Sequence, residues 1–309
     1  MTPPHTPPRV SIIITSWNTR TYLEQTLASI RSSVVPGLAE VIVADNASAD
    51  GSAQMVASAF PGVRLLRNTR NEGFARANNQ GYGIAGGAFI LLLGSDTLMR
   101  AGTLETMAEY LDAHPSAGAV SCRLLNPDGT PQLSCRRFPR LRDAAVTYLS
   151  LHRLARDYTY RDFDFSLTQE VEQPAATCLM IRRSVIETTG LFDERYSILY
   201  NDVDLCRRIR AAGWTIWYLG NAEIVHHGSA STNQATPAIR LEMYRNILRY
   251  FEADHGWAAR AVLTPILFLR LLAVTRSRIS FSLLCANGGG PEHDPPPFPP
   301  GLHPKAEVR

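Results

Sequence analysis

Apolar residues recur along the chain in two alternating rhythms. VSIIIT (10–15), EVIVAD (40–45), VRLLRN (63–68) and AFILLL (88–93) are short, nearly unbroken apolar runs, the pattern of strands buried on both faces. Between them, residues 21–33 place Tyr22, Leu23, Leu27 and Ile30 at helical spacing. SAQMVASAF (52–60) reads as a second helix, and FARANNQGYGIAGG (74–87) as a third that ends in glycines. This alternation predicts an α/β domain, a mostly parallel central sheet with helices on both faces. Such sheets bind ligands in the crevice at the carboxyl ends of their strands. Three runs end at that rim in polar residues: Thr15, Ser16 and Asn18; Asp45 and Asn46; Ser95 and Asp96.

The second half is less regular. Residues 123–139 read as a hairpin around Asp128-Gly129. CLMI (178–181) is a short strand, followed by a helix closed by Gly190. Residues 201–214 form an amphipathic helix with Val203, Leu205, Cys206, Ile209 and Ala212 on its apolar face and Gly213 as C-cap. WTIWYL (214–219) and AEIVHHGS (222–229) read as two strands. Beyond Asn233 the pattern is helical again, at Leu241, Tyr244, Ile247, Leu248 and Phe251. AVLTPILFLRLLAVTRSR (261–278) is apolar almost all round but interrupted by Arg270, and is too short for a confident span. A helix lying in a membrane interface and a core helix packed on the main domain both fit it.

Composition narrows the function. The chain has 309 residues, 45% hydrophobic and 19% charged, enough for one large or two modest cores. A formal net charge of +3 gives no sign of a nucleic-acid partner. The five cysteines are scattered, odd in number and without a CxxC pair, which argues against a disulfide framework or zinc site and suits a reducing cytosol. MTPPHTPPRV has no apolar signal core. Residues 1–8 and the Gly/Pro-rich segment 286–309 are expected to be disordered. GYGIAG (81–86) matches the dinucleotide fingerprint GxGxxG, but it precedes a strand where the fingerprint must follow one and open a helix.

Taken in order, VSIIITSWN, VIVADNASADGS, NEGFARANNQGYGIAGGAFILLLGSDT, QLSCRRFP, PAATCLMIRRSV, GLFDERYSILYNDVDLCRRIRAAGW and EIVHHGSAS resemble the family 2 glycosyltransferases. The likeness runs over about residues 9–250 and is nearest to the bacterial rhamnosyltransferase-like members that build cell-wall and surface polysaccharides. It implies a GT-A fold, Rossmann-like, with a C-terminal helical extension. Residues 9–232 would be the transferase domain, with 9–99 as its nucleotide-sugar half and 100–232 as its acceptor half. Residues 233–285 would be C-terminal helices able to meet a membrane.

The resemblance also assigns roles. Asp45 would hold the base or ribose of the donor, beside Thr15, Trp17, Asn18, Asn46, Asn71, Gly73, Asn78 and Ser95; by itself it needs only start a turn. Asp96 closes the family's metal-binding triplet, here Gly94-Ser95-Asp96 with one acid, and would bind Mg²⁺ or Mn²⁺ on the leaving diphosphate, with His226 as a further ligand. Asp202 would be the general base, or merely an N-cap of the helix that follows. Asp204 is the second candidate for that work. Asn201 stands where the family carries Glu, which should leave Asp202 easier to ionise and a weaker base. Arg136 and Arg137, with Arg140 and Arg142, could grip an acceptor phosphate or form a solvated basic loop. Arg70 and Arg76 could approach the donor diphosphate.

The expected activity is inverting, metal-dependent transfer of a sugar from a dTDP-, UDP- or GDP-sugar to a hydroxyl of a glycan, with a polyprenyl-diphosphate-linked acceptor at the inner face of the cell membrane. The expected setting is cytoplasmic and peripheral to that membrane. The rivals are a non-catalytic nucleotide-sugar-binding relative and an NAD-binding oxidoreductase built on GYGIAG.

Overall fold

The computed structural model describes residues 8–149, 160, 163–228 and 237–275. Residues 1–7, the segment 286–309 and Cys285 lie outside the described residues. The N-terminal half alternates as the pattern requires: β1 (Val10–Ser16), α1 (Arg20–Ser33), β2 (Ala39–Asp45), α2 (Ser52–Ala59), β3 (Arg64–Arg67), α3 (Phe74–Ile84) and β4 (Phe89–Gly94). β5 (Thr97–Met99), α4 (Thr103–Ala113), β6 (Ala117–Leu125), β7 (Cys135–Arg136) and α5 (Leu141–Tyr148) follow. The chain then forms β8 (Gln169–Glu170), β9 (Gln173–Pro174), β10 (Cys178–Arg182), α6 (Arg183–Thr189), α7 (Asn201–Ala211), β11 (Thr215–His226) and α8 (Pro237–Thr275).

The main sheet runs β3-β2-β1-β4-β10-β6-β11-β5. β1 pairs in parallel with both β2 and β4, and β2 with β3, so the strand order reverses about β1. β10 is antiparallel to β4 and β6, whereas β6 and β11 are again parallel. The apolar runs bury both faces, as parallel strands under helices must. Ile12 and Ile14 pack with Leu23 and Leu27 of α1 and Met107 of α4, whereas Ile13 faces Ala75 of α3 and Leu205 of α7. A third cluster joins α5, α7 and α8 through Ala144, Val203, Ile247, Phe251, Leu263 and Leu267.

Three elements exceed the sequence expectations. β5, α4 and β6 fill 97–125, and α4 buries Leu104, Met107, Ala108 and Leu111, a helical stripe legible in the chain. The hairpin at Asp128-Gly129 is a tight turn with one bridge, Leu125 to Pro131, closed by the Asn126 amide on the Thr130 carbonyl and the Gln132 amide on the Leu124 carbonyl, both at 2.8 Å. The two strands expected over 214–229 are one, β11, whose parallel register to β6 shifts between Leu219 and Glu223. Gly81 and Gly83 lie inside α3, whose next strand is β4, so GYGIAG closes a helix and is no phosphate loop.

α8 breaks at Gly256 (φ 68°, ψ −165°). Beyond the break its two faces differ. Ala259, Leu263, Leu267 and Leu271 are buried, while Trp257, Ala258, Ala261, Val262, Pro265 and Leu269 are exposed. The segment is thus a core helix on one face and carries an uncovered apolar stripe on the other. No helix among the described residues is long and apolar enough to cross a membrane.

Candidate active site

The rim is assembled by adjacent strand ends. Ser16 lies beside Asp45 in register, and Thr15 beside Gly94. Hydroxyls join them: Ser16 Oγ and Thr19 Oγ1 are 3.0 Å apart, and Thr19 Oγ1 donates to Ser95 Oγ at 3.1 Å. The Asn18 amide donates to Ser48 Oγ at 3.0 Å and the Ala49 amide to Asn18 Oδ1 at 2.8 Å, which folds the loop after β1 against the loop after β2. Asn46 Nδ2 donates to the Gly73 carbonyl at 3.1 Å, and the Phe74 amide to the Ser197 carbonyl at 3.1 Å. A Cβ on Gly73 would lie 3.2 Å from that same Ser197 oxygen, so the close approach favours glycine. Asn71 Oδ1 accepts from the Gly73 amide at 2.9 Å. Asn78 Nδ2 donates to the Phe74 carbonyl at 2.8 Å, inside its own helix.

Asp96 sits at the start of β5. β5 runs beside the end of β11, with Thr97 opposite His226 and the His227 amide donating to the Asp96 carbonyl at 2.9 Å. His226 Nε2 lies 3.4 Å from Asp96 Oδ1, and its Nδ1 is 2.8 Å from Gln132 Oε1. Among the described residues no three His, Cys, Asp or Glu side chains gather into a metal cage. The carboxylate and imidazole of Asp96 and His226 are nevertheless close enough to share one divalent ion with bonds of about 2.0–2.2 Å. This donor set fits an ion that keeps water and substrate oxygens in its other positions.

Asp202 is linked to the end of β4 by a short segment. The Gly94 amide donates to the Thr177 carbonyl at 2.9 Å. One residue earlier the Ala176 amide bonds the Asp202 carboxyl, and Gln173 Nε2 donates to Asp202 Oδ2 at 3.1 Å. Residues 173–177 therefore run from Asp202 to the end of β4, two residues before Asp96. Asp202 opens into a cleft of about 300 Å³ lined by Arg136, Gln173, Thr147, Tyr148 and Tyr200 among others. Its carboxyl is raised above the usual aspartate range, mainly by burial, against the Val203 N–H and the charge of Arg136. Burial therefore overrides the weakening expected from Asn201. Asp202 is not the N-cap residue, since α7 starts at Asn201 after Tyr200 in the left-handed region, but its Oδ1 accepts from the Val203 amide at 2.9 Å in the first turn.

Other expected residues are engaged elsewhere. Asp204 is buried and paired with Arg208 at 2.8 Å, and Arg208 also binds the Thr189, Gly190 and Leu191 carbonyls. Arg137 faces Glu172 at 3.6 Å and lies 4.9 Å over the Tyr160 ring. Arg142 pairs with Asp143 at 3.4 Å. Arg70 and Arg76 both pair with Glu72, at 3.0 and 3.4 Å. Trp17 is half-buried on the rim.

Two features gather the segments functionally. Every non-glycine residue with positive φ among the described residues, Asn18, Ala47, Leu199 and Tyr200, lies on one of these loops. Among the described residues, five of the seven buried side-chain atoms without a protein partner lie on these segments, Thr15 Oγ1, Asp45 Oδ1, Gln173 Oε1, Ser197 Oγ and His227 Nε2; Glu105 Oε2 on α4 and Arg123 Nε on β6 are the others. Strained backbone and unsatisfied polar atoms in one place are the mark of a site built for a polar ligand. Gln173, Ser197 and Tyr200 were not foreseen: Gln173 and Tyr200 line the cleft beside Asp202, and the Ser197 carbonyl meets the Phe74 amide.

Comparison with known proteins places the chain in a family. The model of the family described as "Glycosyl transferase family 2" matches residues 11–190. The N-acetylglucosaminyl-diphospho-decaprenol L-rhamnosyltransferase of Mycobacterium tuberculosis (strain ATCC 25618 / H37Rv) is 29% identical over 268 residues, covering 80% of this chain and 85% of its own. Among solved structures, the mannosyltransferase PcManGT from Pyrobaculum calidifontis, in complex with GDP-Man and Mn²⁺, superposes with a TM-score of 0.54 at 21% identity, covering 91% of this chain and 78% of its own. GalNAc-T7 with UDP, GalNAc and Mn²⁺ gives a TM-score of 0.62 at 17% identity, covering 79% of this chain and 48% of its own. At these identities the likeness to the solved structures establishes the GT-A fold and nothing finer.

Proposed function

The chain belongs to glycosyl transferase family 2, and from that premise we propose an inverting, divalent-metal-dependent transfer of a sugar from a nucleotide-diphosphate donor to a glycan hydroxyl. The observation that carries the reading is the 173–177 segment, which bonds Asp202 through Gln173 and Ala176 and meets Gly94 at Thr177, two residues before Asp96 and its neighbour His226. Asp96 and His226 would meet the leaving diphosphate and Asp202 the incoming alcohol.

The donor nucleotide would lie over the ends of β1 and β2, where Asp45 Oδ1 and Thr15 Oγ1 have no protein partner. Asp96 and His226 would hold Mg²⁺ or Mn²⁺, which when bound neutralises charge developing on the diphosphate. Asp202 would take the acceptor proton as the acceptor oxygen bonds the anomeric carbon and the carbon–oxygen bond to the diphosphate breaks on the opposite face. A carboxyl raised by burial is a better base than an ordinary aspartate. Gln173 orients it through Oδ2, and Arg136 in the same cleft could meet an acceptor phosphate.

A polyprenyl-diphosphate-linked glycan is the acceptor class this cleft favours. The rhamnosyltransferase relative is named for such an acceptor. α5, which lines the cleft with Ala144, Thr147 and Tyr148, packs on α8. The uncovered stripe of α8, from Trp257 to Leu269, would seat that side of the protein on the inner membrane face. The donor is a dTDP-, UDP- or GDP-sugar.

A thermal-shift panel of these donors, with and without Mn²⁺, tests the reading. One donor should raise the melting temperature as RT ln(1 + [L]/Kd), and Mn²⁺ should enhance the shift. Asp202→Asn should keep donor binding and lose turnover, whereas Asp96→Asn should lose the Mn²⁺ enhancement. Full turnover by Asp202→Asn would end the assignment, and so would a flat panel.

A further inference from the structure

The turn at Asp128-Gly129 has so far had no function, yet it folds Gln132 back onto His226. Gln132 Nε2 donates to the His226 carbonyl at 2.7 Å and to Asn126 Oδ1 at 2.8 Å, while Gln132 Oε1 lies 2.8 Å from His226 Nδ1. The direction of each bond is fixed from the turn. Thr130 Oγ1 lies 2.6 Å from Asp128 Oδ1, and hydrogen bonds from the Thr130 hydroxyl and amide hold that exposed carboxyl below its usual range. An ionised carboxylate only accepts, so the single hydroxyl proton of Thr130 points at Asp128. Thr130 Oγ1 must then accept from Asn126 Nδ2, at 2.8 Å. This turns Asn126 Oδ1 toward Gln132 Nε2, and it leaves Gln132 Oε1 as an acceptor facing His226. An acceptor there requires a proton on Nδ1. The neutral ring then carries a lone pair on Nε2. Its 3.4 Å separation from Asp96 Oδ1 is longer than an ordinary N–H···O bond, as expected when no proton lies between them.

We infer that Gln132 is a positioning residue: the chain Asp128–Thr130–Asn126–Gln132 fixes His226 in its Nδ1-protonated tautomer and presents the Nε2 lone pair beside Asp96. The inference deepens, and rests on, the reading of Asp96 and His226 as the cation-holding pair. A ligand histidine oriented by an outer hydrogen bond binds its metal more tightly, because the correct tautomer and ring angle are present before binding.

The test has two readouts on the full-length protein. Long-range ¹H–¹⁵N correlation of the His226 ring in metal-free protein near about pH 8, where imidazole is neutral, should show Nδ1 protonated and Nε2 bare. Gln132→Leu should mix or reverse the tautomers and weaken Mn²⁺ binding, measured by electron paramagnetic resonance, by about 10- to 100-fold. Melting curves would verify that the variant folds. A wild-type ring protonated at Nε2, or a Gln132→Leu variant with unchanged tautomer and Mn²⁺ affinity, would overturn the inference. The expected tautomer in a protein that fails to bind Mn²⁺ would instead overturn the metal reading and leave the tautomer assignment standing.

Discussion

Gly81 and Gly83 make a controlled comparison within the motif that mimics a dinucleotide fingerprint. Gly81 is buried on the underside of α3, and a Cβ there would stand 2.6 Å from Ile13 Cγ2 and 3.6 Å from its Cδ1 and Cγ1. Optimal carbon contacts are about 3.5–4.0 Å, so roughly 1 Å must be found. Ile13 cannot yield it easily: it is fully buried in β1, between β2 and β4, and β-branched residues are stiff at χ1. Overpacking of this kind costs about 1–3 kcal/mol. Gly→Ala in a helix interior returns up to about 1 kcal/mol of backbone propensity. Gly83 is exposed on the same helix, with nothing within 4 Å of its virtual Cβ. Gly83→Ala should therefore gain a few tenths to about 1 kcal/mol, and Gly81→Ala should lose about 0–2 kcal/mol net. The difference between the variants isolates the clash. Urea unfolding with an unchanged m-value measures both. Gly81→Ala as stable as Gly83→Ala would refute the packing argument. Loss of nucleotide binding by both variants in a stable fold would revive the phosphate-loop reading.

Asp202→Asn should raise stability at pH 7 while abolishing transfer. The folded carboxyl holds its proton more tightly than the unfolded chain does, so wild-type stability falls as pH rises through that raised value. The gain from the variant should shrink toward zero below about pH 4, where both states of the wild type are protonated; a gain that persists in acid would refute the burial argument. Asn246, fully buried, donates to the Ile198 carbonyl at 2.6 Å and so braces the left-handed pair Leu199 and Tyr200 ahead of Asp202. Asn246→Ala should cost about 1–3 kcal/mol by orphaning that carbonyl, and should lower kcat more than it raises the donor KM; equal effects on both would argue against a bracing role. Trp257→Ser with Leu269→Ser should abolish co-sedimentation with anionic vesicles yet leave the melting temperature almost unchanged, because these side chains are 79% and 64% exposed. Unaltered sedimentation would remove α8 as the docking surface.

The N-terminal architecture was written locally. Runs such as VSIIIT and AFILLL bury both faces of a parallel strand, and the helical stripe of 21–33 covers one of them. Because parallel sheets place their strand ends on one rim, Asp45 and Asp96 could be brought together from spacing alone. Motif order singled out Asp202, and the position of GYGIAG before a strand was enough to discount that motif. Tertiary structure decided what depends on distant partners. Burial, not the neighbouring Asn201, sets the basicity of Asp202, and burial belongs to the packed cleft. Asp204 stands second to Asp202 in the sequence, and the fold removes it by pairing it with Arg208 one turn further along α7. Gln132 and Gln173 carried no sequence signal, since an amide gains a role only from what it faces. The chain fixed which residues were able to act, through short-range pattern; the fold chose among them, because desolvation and hydrogen-bond direction arise only when separated segments meet.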